Sequence, residues 1–255
     1  MNEPTSRQIA LITGASRRIG RAIALDLARA GWSIALHYRN SKDDAAALAA
    51  EVKDLGVAVA ILRADLSKPA DLMSLIPRCS AALGPVTCLV NNASLFEYDD
   101  LASLDLDTLA DHIAVNLTAP ILLTQAFAAQ LPDCSAGNII NIVDQRAWVP
   151  TPEFFSYTLS KTALWTATRM MAQALSPRIR VNAVGPGPTL PSVHQKAQDF
   201  DAEVASTLLQ RSTGPAEIAR AVRFILDAPA MTGQMIALDG GQHLRWFPEV
   251  TPVRA

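Results

Sequence analysis

Short apolar runs alternate along this chain with stretches of helical periodicity. Ile9-Ala10-Leu11-Ile12 is the first such run. It is uninterrupted, as a strand buried on both faces requires, and it meets Thr13-Gly14, where a tight turn is predicted. From Ile19 the apolar positions Ala22, Ile23, Leu27 and Ala30 follow helical spacing, and Gly31 is placed to end that helix. Further strands are predicted over Trp32–Tyr38, Val57–Leu62 and Thr87–Val90, with helices over Asp43–Leu55 and Pro69–Leu83. A helical stretch from about Leu109 to Gln130 is interrupted at Asn116-Leu117-Thr118-Ala119-Pro120. Asn138–Val143, Arg180–Val184 and Met235–Leu238 give the fifth, sixth and seventh strands, and Thr158–Leu175 is a helix-permissive run. No linker, composition break, internal repeat or low-complexity tract divides the series. The pattern therefore predicts one α/β domain over residues 1–255, with 1–7 and 248–255 as peripheral tails.

Composition narrows the chemistry. Half of the residues are hydrophobic but only 5% are aromatic, so small aliphatic side chains dominate, as suits strands covered by helices. A net charge of -2 with no block of like charge offers no general attraction to nucleic acid or to an anionic membrane surface. A small molecule is the expected partner. Cys79, Cys88 and Cys134 form no C-x-x-C, and His37, His112, His194 and His243 show no ligand spacing, so neither disulfides nor a metal is expected. The amino terminus lacks an apolar signal core, and no run approaches the roughly 18 apolar residues of a membrane span. A cytoplasmic protein is expected.

The unit Ile9–Ala30 is strand, glycine turn, helix. Its turn presents unpaired backbone N–H groups and the positive end of a helix dipole, for which a pyrophosphate is the natural occupant. Gly14 would allow close approach of the backbone, and Gly20 close packing of helix on strand. After the second strand comes His37-Tyr38-Arg39-Asn40-Ser41-Lys42, where an acid would hold the adenosine ribose of NAD; none stands before Asp43. Arg39, Ser41 and Arg17 instead offer cations and a hydroxyl suited to a 2′-phosphate, so NADPH is the expected cofactor. Later in the chain Tyr157 and Lys161 lie four residues apart, one above the other on one helical face. A phenol there is a general acid with an ordinary pKa near 10, and an ammonium one turn away would favour the phenolate and lower that value.

Taken together, T-G-x-x-x-x-I-G from Thr13, N-N-A from Asn91, the internal Asn116, the Tyr157/Lys161 pair, V-N-A-V-G-P-G from Val181 and D-G-G from Asp239 resemble the short-chain dehydrogenase/reductase family over nearly the full chain. The resemblance implies a Rossmann-type, doubly wound seven-stranded parallel sheet with helices on both faces, the nucleotide lying across the carboxyl ends of the strands. It implies cofactor contacts from Gly14, Arg17, Arg18, Ile19 and Gly20 at the turn, and from Tyr38, Arg39, Asn40 and Ser41 after the second strand. Asp65, Leu66, Asn92, Ala93 and Ser94, and finally Pro186 and Gly187, complete that set. It also implies Tyr157 as proton donor, Lys161 as its tuner and ribose-binding group, Asn116 holding a water that links Lys161 to solvent, and a homotetramer.

Two positions depart from the family pattern. Arg18 replaces the middle glycine of the turn, and Asp144 stands thirteen residues before Tyr157, where most relatives carry Ser. An ionised Asp would repel an alkoxide forming at a reduced ketone, whereas a ring C=N bond needs a proton at nitrogen. Both departures resemble the pteridine reductase branch, which implies a catalytic Asp144, a substrate slot built from Arg18, Ser94, Phe96 and Tyr157, and reduction of a dihydropterin or dihydrofolate ring. The alternatives are a carbonyl reductase, such as a 3-oxoacyl thioester reductase, and a non-catalytic NADP-binding protein. His194 reads as a solvated loop histidine, with a substrate contact as the alternative, and Trp246 and Phe247 as a subunit contact.

Overall fold

A computed structural model of the chain describes residues 8–192 and 195–244. His194, Trp246, Phe247 and both expected tails lie outside the described residues.

Seven strands form a single sheet: β1 (Ile9–Ile12), β2 (Ser33–Tyr38), β3 (Val59–Arg63), β4 (Cys88–Asn91), β5 (Gly137–Ile142), β6 (Ile179–Pro186) and β7 (Met235–Leu238). Every pairing is parallel, in the order β3-β2-β1-β4-β5-β6-β7. β1, β2 and β4 are buried at every position, because helices cover both faces of the sheet. On one face lie α1 (Arg18–Arg29) and α2 (Lys42–Asp54), together with a later helix, Pro215–Asp227. Ile23, Leu27, Leu48, Val52, Val222 and Ile225 from these three pack with Ile12, Ile34 and Val90. The other face carries α3 (Pro69–Leu83), α5 (Ala119–Gln130) and α6 (Phe155–Leu175), whose Leu75, Ile76, Leu123, Phe127 and Ala172 meet Leu11, Leu89 and Ile139. Each fully buried Leu, Ile or Phe contributes about 1.5–3 kcal/mol of transfer free energy. These two layers are what hold the sheet's ends in place.

The predicted strands are all present, with bounds displaced by no more than two residues. Two helices between β6 and β7 were not anticipated: α7 (Ala197–Ala205) and α8 (Pro215–Asp227). The signals for α8 are present in the sequence. Pro215 occupies the first turn, the Glu217 carboxylate accepts from Gly214 N at 3.0 Å, and Ile218, Ala219, Val222 and Ile225 fall on one buried stripe.

The interruption expected at 116–120 is not a break. α4 (Leu106–Ile113) runs through a π turn at Ala114–Thr118 directly into α5, because a π turn absorbs one extra residue without ending the helix. The result is a 25-residue helix containing an 18-residue stretch of mean hydropathy 1.3, long and apolar enough by length and composition to cross a membrane. It is not an uninterrupted apolar run, since Asp107, Asp111, His112 and Asn116 fall within it. Its inner residues Ala119, Leu123 and Phe127 are buried in the sheet-covering layer, the placement of a core helix.

After β1 the chain builds outward through β2 and β3, then crosses back to β4 on the other side of β1. Connections leave β1 and β4 in opposite directions, and the crevice between their carboxyl ends is where open α/β sheets bind ligands.

Candidate active site

A cleft of about 790 Å³ opens at that crevice. It is lined by every residue named above as cofactor-binding, substrate-binding or catalytic, except Asn116, which lies one layer behind.

The floor is the glycine turn after β1, laced to the segment after β4. Thr13 Oγ1 accepts from Asn92 N and Ala93 N, both at 2.9 Å, while Asn92 Nδ2 donates to Thr13 O at 2.8 Å and Gly14 O at 3.1 Å. Gly14 has φ +62, and a Cβ on Gly20 would stand 2.3 Å from Gly14 O, so the turn has room for hydrogen only at both positions. Arg17 precedes α1 in extended conformation and supplies no side-chain cap, so the first N–H groups of α1 have no side-chain acceptor from the chain's own cap position. His37 fastens this turn from below. Its Nδ1 accepts from Gly14 N at 3.1 Å, so Nε2 carries the hydrogen and donates to Ala64 O at 3.1 Å. Burial holds its pKa down at about 4, which keeps the ring neutral and that tautomer fixed at working pH. Sequence reasoning gave His37 no role; the available signal was a polar ring within an otherwise apolar strand.

One wall carries Tyr38, Arg39, Asn40 and Ser41 beside Asp65 and Leu66. Ser41 Oγ lies 2.6 Å from Ser16 Oγ, and Arg17 Nε lies 3.5 Å from the Asp44 carboxylate. The Asp65 carboxylate accepts from Ser67 N and Ser67 Oγ, which holds its pKa below the ordinary value. Across the cleft, β6 delivers Pro186, and a Cβ on Gly187 would reach within 2.7 Å of Asp239 Cα.

Arg18 occupies the left-handed region, φ 54, at the first position of α1. A non-glycine residue there carries roughly 1 kcal/mol of backbone strain. Its side chain explains what offsets that strain: Nη1 donates to Pro191 O at 2.8 Å and Nη2 to Leu190 O at 2.9 Å. Arg18 thus ties the turn to the loop after β6, and both hydrogen bonds go to the chain's own backbone.

At the inner end, Tyr157 Oη donates to Asp144 Oδ2 at 2.9 Å, and Asp144 Oδ1 accepts from Arg146 N at 2.8 Å. Burial first, then the Asp144 carboxylate, push the Tyr157 phenol well above its ordinary value, with Arg146 opposing. The expectation of a phenol lowered by Lys161 is therefore reversed. Lys161 Nζ lies 5.6 Å from the Tyr157 ring centroid and donates to Ile142 O at 2.9 Å. Burial, opposed by Asp144, brings Lys161 down to about 8.

Asn116, at the π turn, holds the loop after β4. Its Oδ1 accepts from Leu95 N at 2.8 Å and Ser94 Oγ at 3.2 Å, and its Nδ2 donates to Leu95 O and Ser160 Oγ, each at 3.0 Å. The same loop is pinned by buried His112, whose Nε2 accepts from Glu97 N at 3.2 Å and whose Nδ1 lies 2.7 Å from Ser156 Oγ. The loop presents Phe96, which stacks on Phe154 at 4.4 Å and 10° and meets the Tyr157 ring edge-on at 4.6 Å. Tyr98 closes on Phe154 at 5.2 Å. Phe154, with φ 53 just before α6, and Arg146, over both phenylalanine rings, were not anticipated from sequence. Their positions depend on the turn between β5 and α6, which no periodicity reports.

Known proteins share this fold. The profile of the short chain dehydrogenase family matches residues 8–202. FolM alternative dihydrofolate reductase 1 from Brucella canis, solved in complex with NADP, superposes with a TM-score of 0.92 at 47% identity, covering 96% of this chain and 97% of that one. A short-chain dehydrogenase from Burkholderia cenocepacia, also with NADP, gives 0.87 at 33% identity, covering 92% and 97%. Among curated proteins, the 3-oxoacyl-[acyl-carrier-protein] reductase FabG of Staphylococcus epidermidis is 32% identical over 240 residues, 92% of this chain and 98% of that protein. From its sheet order, its glycine turn and this match over three quarters of its length, the chain belongs to the short-chain dehydrogenase family.

Proposed function

We propose that this oxidoreductase carries out the NADPH-dependent reduction of a ring C=N bond in a dihydropterin or dihydrofolate. The observation that carries the reading is the 2.9 Å hydrogen bond from Tyr157 to the Asp144 carboxylate, set beside the stacked Phe96 and Phe154 rings. The NADP-bound dihydrofolate reductase that shares 47% of its sequence supports it.

The residues present fit the cofactor. Gly14 and Gly20 leave a backbone cradle that a Cβ would fill, and the uncapped start of α1 suits a pyrophosphate. Arg17, Arg39 and Ser41 would take the 2′-phosphate, and Lys161 the ribose. When bound, NADPH supplies the hydride. The protein's part is to hold a flat ring against Phe96 and to place protons. Tyr157, kept protonated by burial and by Asp144, is a proton donor across the working pH range. Asp144 accepts the Tyr157 hydrogen and, with water, passes a proton towards ring nitrogen. A carboxylate here disfavours an alkoxide but tolerates a ring nitrogen that is becoming an amine. The expected homotetramer is supported by exposed Leu159 and Met170 on α6.

Asp144→Ala tests this directly. We expect kcat/KM for dihydropterins to fall about tenfold to a hundredfold, the lower range of a positioned acid–base group. Undiminished dihydropterin turnover in this variant removes Asp144 from the mechanism. The second reading, a 3-oxoacyl thioester reductase, is favoured by the Staphylococcus epidermidis relative. Wild-type turnover of an acetoacetyl thioester, with none of dihydropterins, establishes it instead.

A pH profile tests Lys161. Burial favours the neutral amine, so the ammonium is present below about pH 8 and lost above it. Activity that depends on the ammonium declines as pH rises through that value. Tyr157, held above its ordinary range, does not titrate there. We expect an alkaline limb in kcat/KM near 8. A limb that instead appears only above about 10, where an ordinary lysine titrates, contradicts the buried-ammonium role.

A further inference from the structure

We infer that Arg146 is a specificity-determining residue whose guanidinium donates to an acceptor oxygen of the substrate. This rests on the dihydropterin reading and adds to it a residue and a ligand chemistry. Arg146 sits in the single 3-10 turn (Gln145–Ala147) between Asp144 and α6, and its backbone N–H is fixed on Asp144 Oδ1. From there its guanidinium carbon stands 5.3 Å from the Phe154 ring centroid and 5.9 Å from that of Phe96. It therefore borders the same slot as Tyr157.

Among the described residues its guanidinium donates no hydrogen bond. Nη1 is 3.8 Å from Asp144 Oδ2, an ion-pair distance beyond hydrogen-bonding reach, and Nε is buried without a partner among the described residues. The side chain is only 16% exposed, so water replaces these bonds poorly. The contrast with its neighbours in the cleft is direct: Arg18 donates to two loop carbonyls and Arg17 pairs with Asp44. A planar fork with unsatisfied donors at the edge of an aromatic slot calls for a planar oxygen acceptor. In the proposed substrates that acceptor is either the carbonyl oxygen of the ring or a carboxylate on the tail.

The test compares wild type, Arg146→Met and Arg146→Lys. Met keeps a flexible stem over the phenylalanine rings and removes every donor; Lys restores the charge without the fork. Each protein is assayed by NADPH oxidation on a 6-methylated dihydropterin, which has the ring carbonyl only, and on dihydrofolate, which also has tail carboxylates. NADPH affinity is measured by fluorescence titration. We expect Arg146→Met to raise KM about tenfold or more, Arg146→Lys to recover part of it, and the NADPH Kd to stay within about twofold. A rise on both substrates assigns the acceptor to the ring carbonyl, and a rise on dihydrofolate alone assigns it to the tail. Unchanged KM on both overturns the inference. So does a rise matched by an equal loss of NADPH affinity, which marks a structural role. A wild type that reduces neither compound overturns the proposed function and this inference with it, and the wild-type arm alone reveals that case.

Discussion

Tyr157→Phe lowers kcat about 10²–10⁴-fold while NADPH still binds, the loss expected when a positioned proton donor is removed from a reaction that needs it. The geometry makes the substitution clean. The phenol is 6% exposed, and among the described residues its oxygen makes one hydrogen bond, to Asp144 Oδ2 at 2.9 Å. The ring's packing against Phe96, edge-on at 4.6 Å, is kept by phenylalanine. What the fold loses is one charge-assisted hydrogen bond, roughly 1.5–3 kcal/mol, with Arg146 remaining as a partner for the carboxylate. Single-turnover rates with saturating NADPH, together with a melting curve, separate the two effects. A variant that keeps more than about a tenth of wild-type kcat shows that the proton comes from elsewhere.

Gly20→Ala is the second large effect, and it acts through the floor of the cleft. By intrinsic propensity, alanine inside a helix gains about 1 kcal/mol over glycine. Here the added methyl meets Gly14 O at 2.3 Å, Asn92 Nδ2 at 2.6 Å and Ala15 Cα at 2.9 Å. Two of those atoms are backbone, and the third is fixed by hydrogen bonds to Thr13 O and Gly14 O. None can retreat without opening the lacing between β1 and β4. Overpacking costs typically 1–3 kcal/mol, and a displaced turn also withdraws the N–H groups that would face a pyrophosphate. We expect Tm to fall by roughly 4 °C or more and the NADPH Kd to rise at least about tenfold. Thermal unfolding and a cofactor titration check both. A Tm that stays level or rises shows that helix propensity outweighs the clash and that the turn adapts.

The two expectations differ in what they probe. Tyr157 is a chemical group whose role was legible from its spacing to Lys161 and its separation from Asp144. Its state was not. The spacing suggested a phenol lowered by an ammonium, whereas burial and Asp144 leave it raised, because desolvation of a group enclosed on all sides outweighs a cation whose own charge is penalised by the same burial. Asn116 was likewise found by its place in the chain, but its partners, Ser94, Leu95 and Ser160, come from two segments that meet it only when α4, the π turn and α6 pack.

By itself the sequence determined the class of fold, the seven strands, the glycine turn and most of the cleft's lining, since these depend on local periodicity and on residue types needed at fixed points along the chain. Short-range steric and hydrogen-bonding rules settle such features before any tertiary contact forms. The fold alone decided which side chains share an environment: His37 beneath Gly14, Arg18 on the carbonyls of Leu190 and Pro191, Phe154 against Phe96, Arg146 beside Asp144. Those pairings join residues up to 173 positions apart, and the burial that sets their charge states belongs to the packed layers and not to any one segment.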